Sequence, residues 1–199
     1  MASTTGNRIA VDAPIFNHFD KSLSQSFIYK YNRAGLVTEA GIEDLRIEIA
    51  YDSNSDDAHA EDGVVFNKAE NSWAKNVAVL YFNKAGIKTT NSTLITVINC
   101  QALRPRGTND GGYRYNFDAD DASNNILFTG CSTNYGRHDY VANGAASASG
   151  IVFTNSTSDQ THDTSEGHRK WSQGLLYDKL TYTNVGSATR YTNAKSRYL

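Results

Sequence analysis

Apolar residues in this chain come in short bursts, and from Gly41 onward the bursts recur. Six segments align: GIEDLRIEIA from Gly41, NSWAKNVAVLYF from Asn71, STLITVINC ending at Cys100, NNILFTGC ending at Cys131, GIVFTNS ending at Ser156 and GLLYDKL ending at Leu180. Each carries an apolar pair, then a small or polar turn-like residue, then an inward candidate: Leu45, Val77, Cys100, Cys131, Ser156 and Leu180. The intervals between these candidates are 32, 23, 31, 25 and 24 residues. This is a repeat of roughly two dozen residues with loop insertions, and each copy holds one short strand. Asn76, Asn99 and Asn155 precede the inward residue in three copies, with Asp44 and Gly130 in two more. Those residue types tolerate the left-handed backbone of a sharp turn between strands.

The pattern predicts an all-β chain folded as a right-handed parallel β-helix, a solenoid of about six coils, each pairing with the coils above and below. Such a stack forms a rod about 25 to 30 Å long. Strands are also expected at Asn7 to Asp12 and Ser26 to Tyr31, on either side of a Pro14 turn. Residues 1–40 therefore read as an N-terminal β cap or lead-in and 41–199 as the β-helix, together one structural domain. A β-sandwich also accommodates short strands. The period near two dozen, with insertions between the repeated segments, favours the solenoid. Long loops are expected at Asp52 to Gly63 and Leu103 to Ser123, where a rigid scaffold carries function.

Composition narrows the partners. With Lys+Arg 19 against Asp+Glu 21 and a net charge of −2, the chain has no field that would draw nucleic acid or an anionic membrane. Its longest apolar run, Val77 to Phe82, is far short of a bilayer span. The opening MASTTGNRIAVD lacks the basic and apolar regions of a secretory signal. Cys100 and Cys131 lie outside any zinc spacing and read as two buried thiols.

Candidate chemistry gathers in four stretches. Asp52, Asn54 and Asp56 begin like a calcium loop, but the sixth-place Gly and twelfth-place Glu are missing, so a solvated acidic loop is the plainer reading and no cofactor is expected. In GGYRYNFDADD, alternation sets Tyr113, Tyr115 and Phe117 on one strand face and Arg114, Asn116 and Asp118 on the other, where they can meet a ligand; an ordinary half-exposed strand has the same pattern. In GRHDY, Arg137 can grip a carboxylate and His138 can carry a proton, with Asp139 beside them. In THDTSEGHRKWSQGLLYD, His162, Asp163, His168, Arg169, Lys170 and Trp171 crowd onto one polar segment, which is a solvated loop on the bland reading. Zinc on these histidines lacks the helical i,i+4 spacing, and no metal site is expected. Trp171 can stack on a sugar ring or pack in the core. Thirty residues separate His138 from His168, so a period near 25 sets Arg114, His138 and His168 along one groove.

GYRYNF (Gly112 to Phe117), GRHDY (Gly136 to Tyr140) and HDTSEGHRKWSQGLLYD (His162 to Asp178) together resemble a set of secreted microbial β-helix proteins of the pectate-lyase-like superfamily. Those proteins share an RRYSFN-like strand, a GRHDF segment and an HxDxGPHxRWATGxLYDN segment. The likeness spans nearly the whole chain from Asn7; Glu166 and Gly167 stand where that group prefers Gly-Pro, and the tail after Asn184 does not match.

The resemblance implies an extracellular protein, a polysaccharide partner, and a chain that is an excised portion of a longer one. Self-association through exposed solenoid ends is expected if coils are missing. Fold alone does not name the reaction. Elimination on a uronic acid would use Arg114, Arg137 or Arg169 to neutralise the carboxylate and His138 or His168 as the base. Hydrolysis would draw two carboxylates from Asp118, Asp139 and Asp163. Tyr115, Asn116, Lys170 and Trp171 are expected to touch substrate. The alternative is a non-catalytic structural or adhesion solenoid.

Overall fold

The computed structural model describes residues 3–11, 13–23, 25–27, 32, 34–169 and 171–184. It divides after Arg33 into two units. In the first, β1 (Ser3–Thr5) and β2 (Arg8–Ala10) form an antiparallel hairpin, with Gly6 at φ 59° in the turn. Most of the strand expected at Ser26 to Tyr31 lies outside the described residues, and Ser26 and Phe27 are not in a strand.

The second unit is all-β, and every described strand pairing in it is parallel. Its first half comprises β3 (Val37–Thr38), β4 (Gly41–Glu43), β5 (Arg46–Glu48), β6 (Asp62–Asn67), β7 (Ala69–Lys75), β8 (Ala78–Leu80), β9 (Ala85–Thr90) and β10 (Thr93–Ile98). Its second half comprises β11 (Gln101–Leu103), β12 (Tyr115–Asp120), β13 (Asn124–Thr129), β14 (Ser132–Asn134), β15 (His138–Ala142), β16 (Ser149–Asp159), β17 (Glu166–Gly167) and β18 (Gln173–Thr183). One ladder runs β6-β9-β12-β15-β17; a second, larger sheet carries β3, β4, β7, β10, β13, β16 and β18, together with β5, β8, β11 and β14. No described helix is long and apolar enough to cross a membrane.

Register explains the spacing in the sequence. Glu43, Lys75, Ile98, Thr129, Thr154 and Asp178 form one continuous rung column. The next residue in each layer, namely Asp44, Asn76, Asn99, Gly130, Asn155 and Lys179, has φ between 49° and 65°. A second column follows the rung of Thr38, Glu70, Thr93, Asn124, Ser149 and Gln173. It contains Glu39, Asn71, Leu94, Asn125, Gly150 and Gly174, again all left-handed. Each left-handed non-glycine costs roughly 1–2 kcal/mol. The stack offsets that cost with hydrogen bonds between layers, among them Asn99 N to Thr129 O at 3.0 Å and Asn76 Nδ2 to Asp44 Oδ1 at 2.8 Å.

Behind these turns lies the expected inward column. Val77, Cys100, Cys131 and Ser156 are buried and both thiols are free, but Leu45 is 43% exposed and Leu180 half-buried, in the first and last described layers of this unit. Aromatic rings stack along the rungs of the core: Phe128, Phe153 and Tyr177 at centroid steps of 4.9 and 5.1 Å, and Phe117 on Tyr140 at 5.4 Å. Such layering rewards register, since a slip of one residue would turn every ring outward.

One expectation is corrected. Alternation predicts that one face of β12 is open, to a ligand or to solvent, yet all six of its residues are buried. Its neighbours β9 and β15 pair with it on both edges, and polar partners close over the face that carries Asn116 and Asp118.

Gly130 combines φ 65° with a backbone against which an added Cβ would collide with Asn99 Oδ1. Gly130→Ala should therefore lower unfolding stability in urea by at least about 1–2 kcal/mol, whereas Asn155→Gly, in the same column, should be close to neutral. Equal effects of the two changes would contradict the column.

Candidate functional site

The turn before β15 begins the site. Gly136 is required there because a Cβ would occupy the space taken by the Asp139 carboxylate and the Asn116 amide. Asp139 is fully buried and accepts hydrogen bonds from Asn116 Nδ2 at 2.9 Å and Ser158 Oγ at 2.6 Å, with Thr133 Oγ1 at 3.1 Å. Asn116 also donates to Thr133 Oγ1 and to Asn134 O. Burial raises the Asp139 carboxyl above its ordinary value even though these donors pull the other way. Asp139 and Asn116 thus tie β12, β14, β15 and β16 together from inside.

His138, the neighbour of Asp139, is only 1% exposed. Its Nδ1 lies 2.6 Å from the carbonyl of Thr164. A carbonyl can only accept, so Nδ1 carries the proton and Nε2 carries the lone pair. That Nε2 is buried and has no protein hydrogen-bond partner. Desolvation lowers the His138 pKa below the usual imidazole value, with nearby His168 and Arg137 acting in the same direction.

His168 lies against it, with ring centroids 4.5 Å apart. Its Nδ1 is 2.8 Å from Glu166 Oε1 and its Nε2 is 3.2 Å from the Tyr115 hydroxyl. Arg137 Nη1 donates to that same hydroxyl at 2.9 Å. Tyr115 packs edge-on against both imidazoles, at 5.0 and 5.5 Å. A continuous chain Arg137–Tyr115–His168–Glu166 results. It runs from the buried start of β12 to the half-buried Glu166 and His168 on the adjoining segment. Among the described residues, His138, Glu166 and His168 are the set whose donor atoms come close enough together, within 4.8 Å, to hold a metal ion.

The other expected site residues are dispersed. Arg114, at φ 57°, accepts the Arg137 and His138 amides at its carbonyl, while its side chain donates to Gly107 O at 2.5 Å and stands near Arg106 and Asp57. It serves the two long loops, which are also tied by Gly107 N to Asn54 O, by Thr108 to Asp57, and by Arg106 lying over the rings of Tyr51 and Tyr81. Asp56, offered as part of a calcium loop, accepts the Asp52 and Ala58 amides. Asp163 accepts the Thr164 amide, Arg169 is exposed, and Trp171 is 80% exposed rather than packed in the core. Lys170 lies outside the described residues.

Asp118 belongs to a separate cluster. It is 3% exposed and shares the rung of Lys88, whose Nζ binds Asp120 Oδ2 at 2.7 Å. Asp118 Oδ1 has no hydrogen-bond partner. Burial, followed by the charge of Asp120, holds its carboxyl well above the ordinary range.

Sequence reasoning missed Glu166 and Lys88. Glu166 had a usable signal, since residues i and i+2 of an extended segment share a side and His168 follows at that spacing. The carbonyl of Thr164, which fixes the His138 tautomer, has no signal in the sequence.

An acid whose folded pKa is raised stabilises the fold fully below its unfolded value, near 3.9, and loses that contribution as pH rises through the folded value. Asp118→Asn removes this dependence. Urea unfolding from pH 4 to 8 should show the stability difference, variant minus wild type, growing with pH; a difference that stays flat or shrinks would contradict the raised Asp118 carboxyl.

Compared with protein-family models, with curated proteins and with solved structures, the chain matches none.

Proposed function

We propose that this chain is a right-handed parallel β-helix of about six coils, of the pectate-lyase-like kind, that binds an extracellular polysaccharide and cleaves it by elimination at a uronic acid. The fold reading is supported by parallel pairing at intervals near two dozen residues and by aligned columns of left-handed turns. The observation that carries the function is the chain Arg137–Tyr115–His168–Glu166.

Elimination needs a cation on the sugar carboxylate, which makes the C5 proton acidic, and a base to take that proton. Arg137 supplies the guanidinium. In this reading Tyr115 Oη, in contact with both Arg137 and His168 Nε2, relays a proton between substrate and imidazole, and Glu166 orients the imidazole from Nδ1. The C5–H and C4–O bonds break, a C4=C5 double bond forms, and the proton ends on the departing oxygen. Hydrolysis is less well supported, because Asp139 is enclosed by internal donors and Asp118 is sealed beside Lys88.

A second reading has its own observation. The Asn116 and Asp139 side chains of the two motif strands are used for internal bonds, which suits a structural or adhesion solenoid with no reaction at all.

A polyuronide panel separates the two readings. Wild type should release products that absorb in the ultraviolet, and Tyr115→Phe and His168→Gln should each slow release by about 10²- to 10⁴-fold. Reducing ends released from neutral glycans without unsaturated product would overturn elimination. Binding without cleavage of any polymer would favour the solenoid reading.

A further inference from the structure

We propose that His138, His168 and Glu166 form a site for one divalent transition-metal ion of the zinc class. It shares His168 and Glu166 with the proposed elimination but is a different state of the site, because a metal-bound His168 keeps a hydrogen on Nε2 and cannot accept a proton there, so its test reports binding separately from turnover. One donor atom from each residue already lies within 4.8 Å of the other two. Ligand bonds of about 2.0–2.1 Å set tetrahedral donor atoms about 3.3 Å apart; the Glu166–His168 pair at 2.8 Å opens slightly, His138, whose Nδ1 is 4.0 Å from Glu166 Oε1, draws closer, and Glu166 and His168 are both half-buried.

His138 is prepared as a ligand. Its Nδ1–H is held by the Thr164 carbonyl, which leaves the Nε2 lone pair without a protein partner although the residue is 1% exposed. An imidazole oriented through one nitrogen by a backbone carbonyl, with the other nitrogen free, is the usual arrangement around metals. At His168 the ion takes the place of the proton shared by Nδ1 and Glu166 Oε1 across 2.8 Å. Nε2 then turns its own hydrogen to Tyr115 Oη, and Arg137 fixes that hydroxyl from the far side. Both rings therefore have the outer partners that hold metal-binding histidines in place.

The donor set selects the ion. Two imidazoles and one carboxylate suit Zn²⁺ or Co²⁺, while Ca²⁺ and Mg²⁺ prefer oxygen throughout. Three protein ligands leave a fourth position open, as in catalytic rather than structural sites. His59 provides an internal comparison: both its nitrogens are unpartnered too, but its ion-pair neighbour is a single carboxylate, Asp56, at 3.6 Å. It makes no ligand set.

Protein stripped with a chelator and dialysed should be titrated with Co²⁺, followed by its visible absorption, and with Zn²⁺ and Ca²⁺ by calorimetry. One Co²⁺ or Zn²⁺ per chain is expected, with no Ca²⁺ uptake. His168→Gln and Glu166→Gln should each weaken binding at least about 10-fold, and His59→Gln should leave it unchanged. Glu166 and His168 are chosen because both are half-buried, whereas substitution of the buried His138 risks the fold. No uptake of Co²⁺ or Zn²⁺, or uptake unaffected by both site variants, overturns the proposal. Unsaturated product without metal binding would sink the metal site and leave elimination standing. Metal binding without any turnover would do the reverse.

Discussion

In-register stacking of parallel layers is the constraint on which everything else rests. Each layer turns through residues held at positive φ, and these fall in columns because the backbone groups of one turn bond to the next layer. A turn that is costly alone becomes affordable when its neighbours repeat it. Register then aligns the aromatic rungs of Phe128, Phe153 and Tyr177, and the core follows.

The candidate site inherits its geometry from that stack. Tyr115 and His138 meet because they are register partners on adjacent strands, and Glu166 arrives opposite Val141 one layer on. Asp139 and Asn116 lock the layers from within, which holds the His138 backbone still while its ring faces His168. A rigid inner cage thus stands beside a partly buried hydrogen-bond chain, and rigid support of this kind is what a preorganised site needs.

Much of the scaffold was legible in the sequence, and the reason is local chemistry. Asn76, Asn99 and Asn155 announce left-handed turns because their short polar side chains tolerate them. Leu94, Tyr81, Arg104, Tyr135 and Lys179 adopt the same conformation and announce nothing, since stacking imposes it against their preference. The meeting of His138 and His168 could be read from a period near 25, but the role of Arg114 could not, because the loop that turns its guanidinium toward Gly107 has no periodicity. Alternation along Tyr115–Asp120 misled for a physical reason: charges normally mark a solvent face, and here Lys88 and Asp120 neutralise each other beside Asp118 under cover.

Distances between layers test the stacking most directly. Lys75, Ile98, Thr129, Thr154 and Asp178 share one rung column, and the native thiols of Cys100 and Cys131 are buried, away from labelling. Spin labels on Lys75→Cys and Thr154→Cys should report a narrow separation of about 14 Å, and Lys75→Cys with Asp178→Cys about 19 Å, three and four strand spacings of about 4.8 Å. Equal distances for the two pairs, or broad distributions in both, would contradict the account.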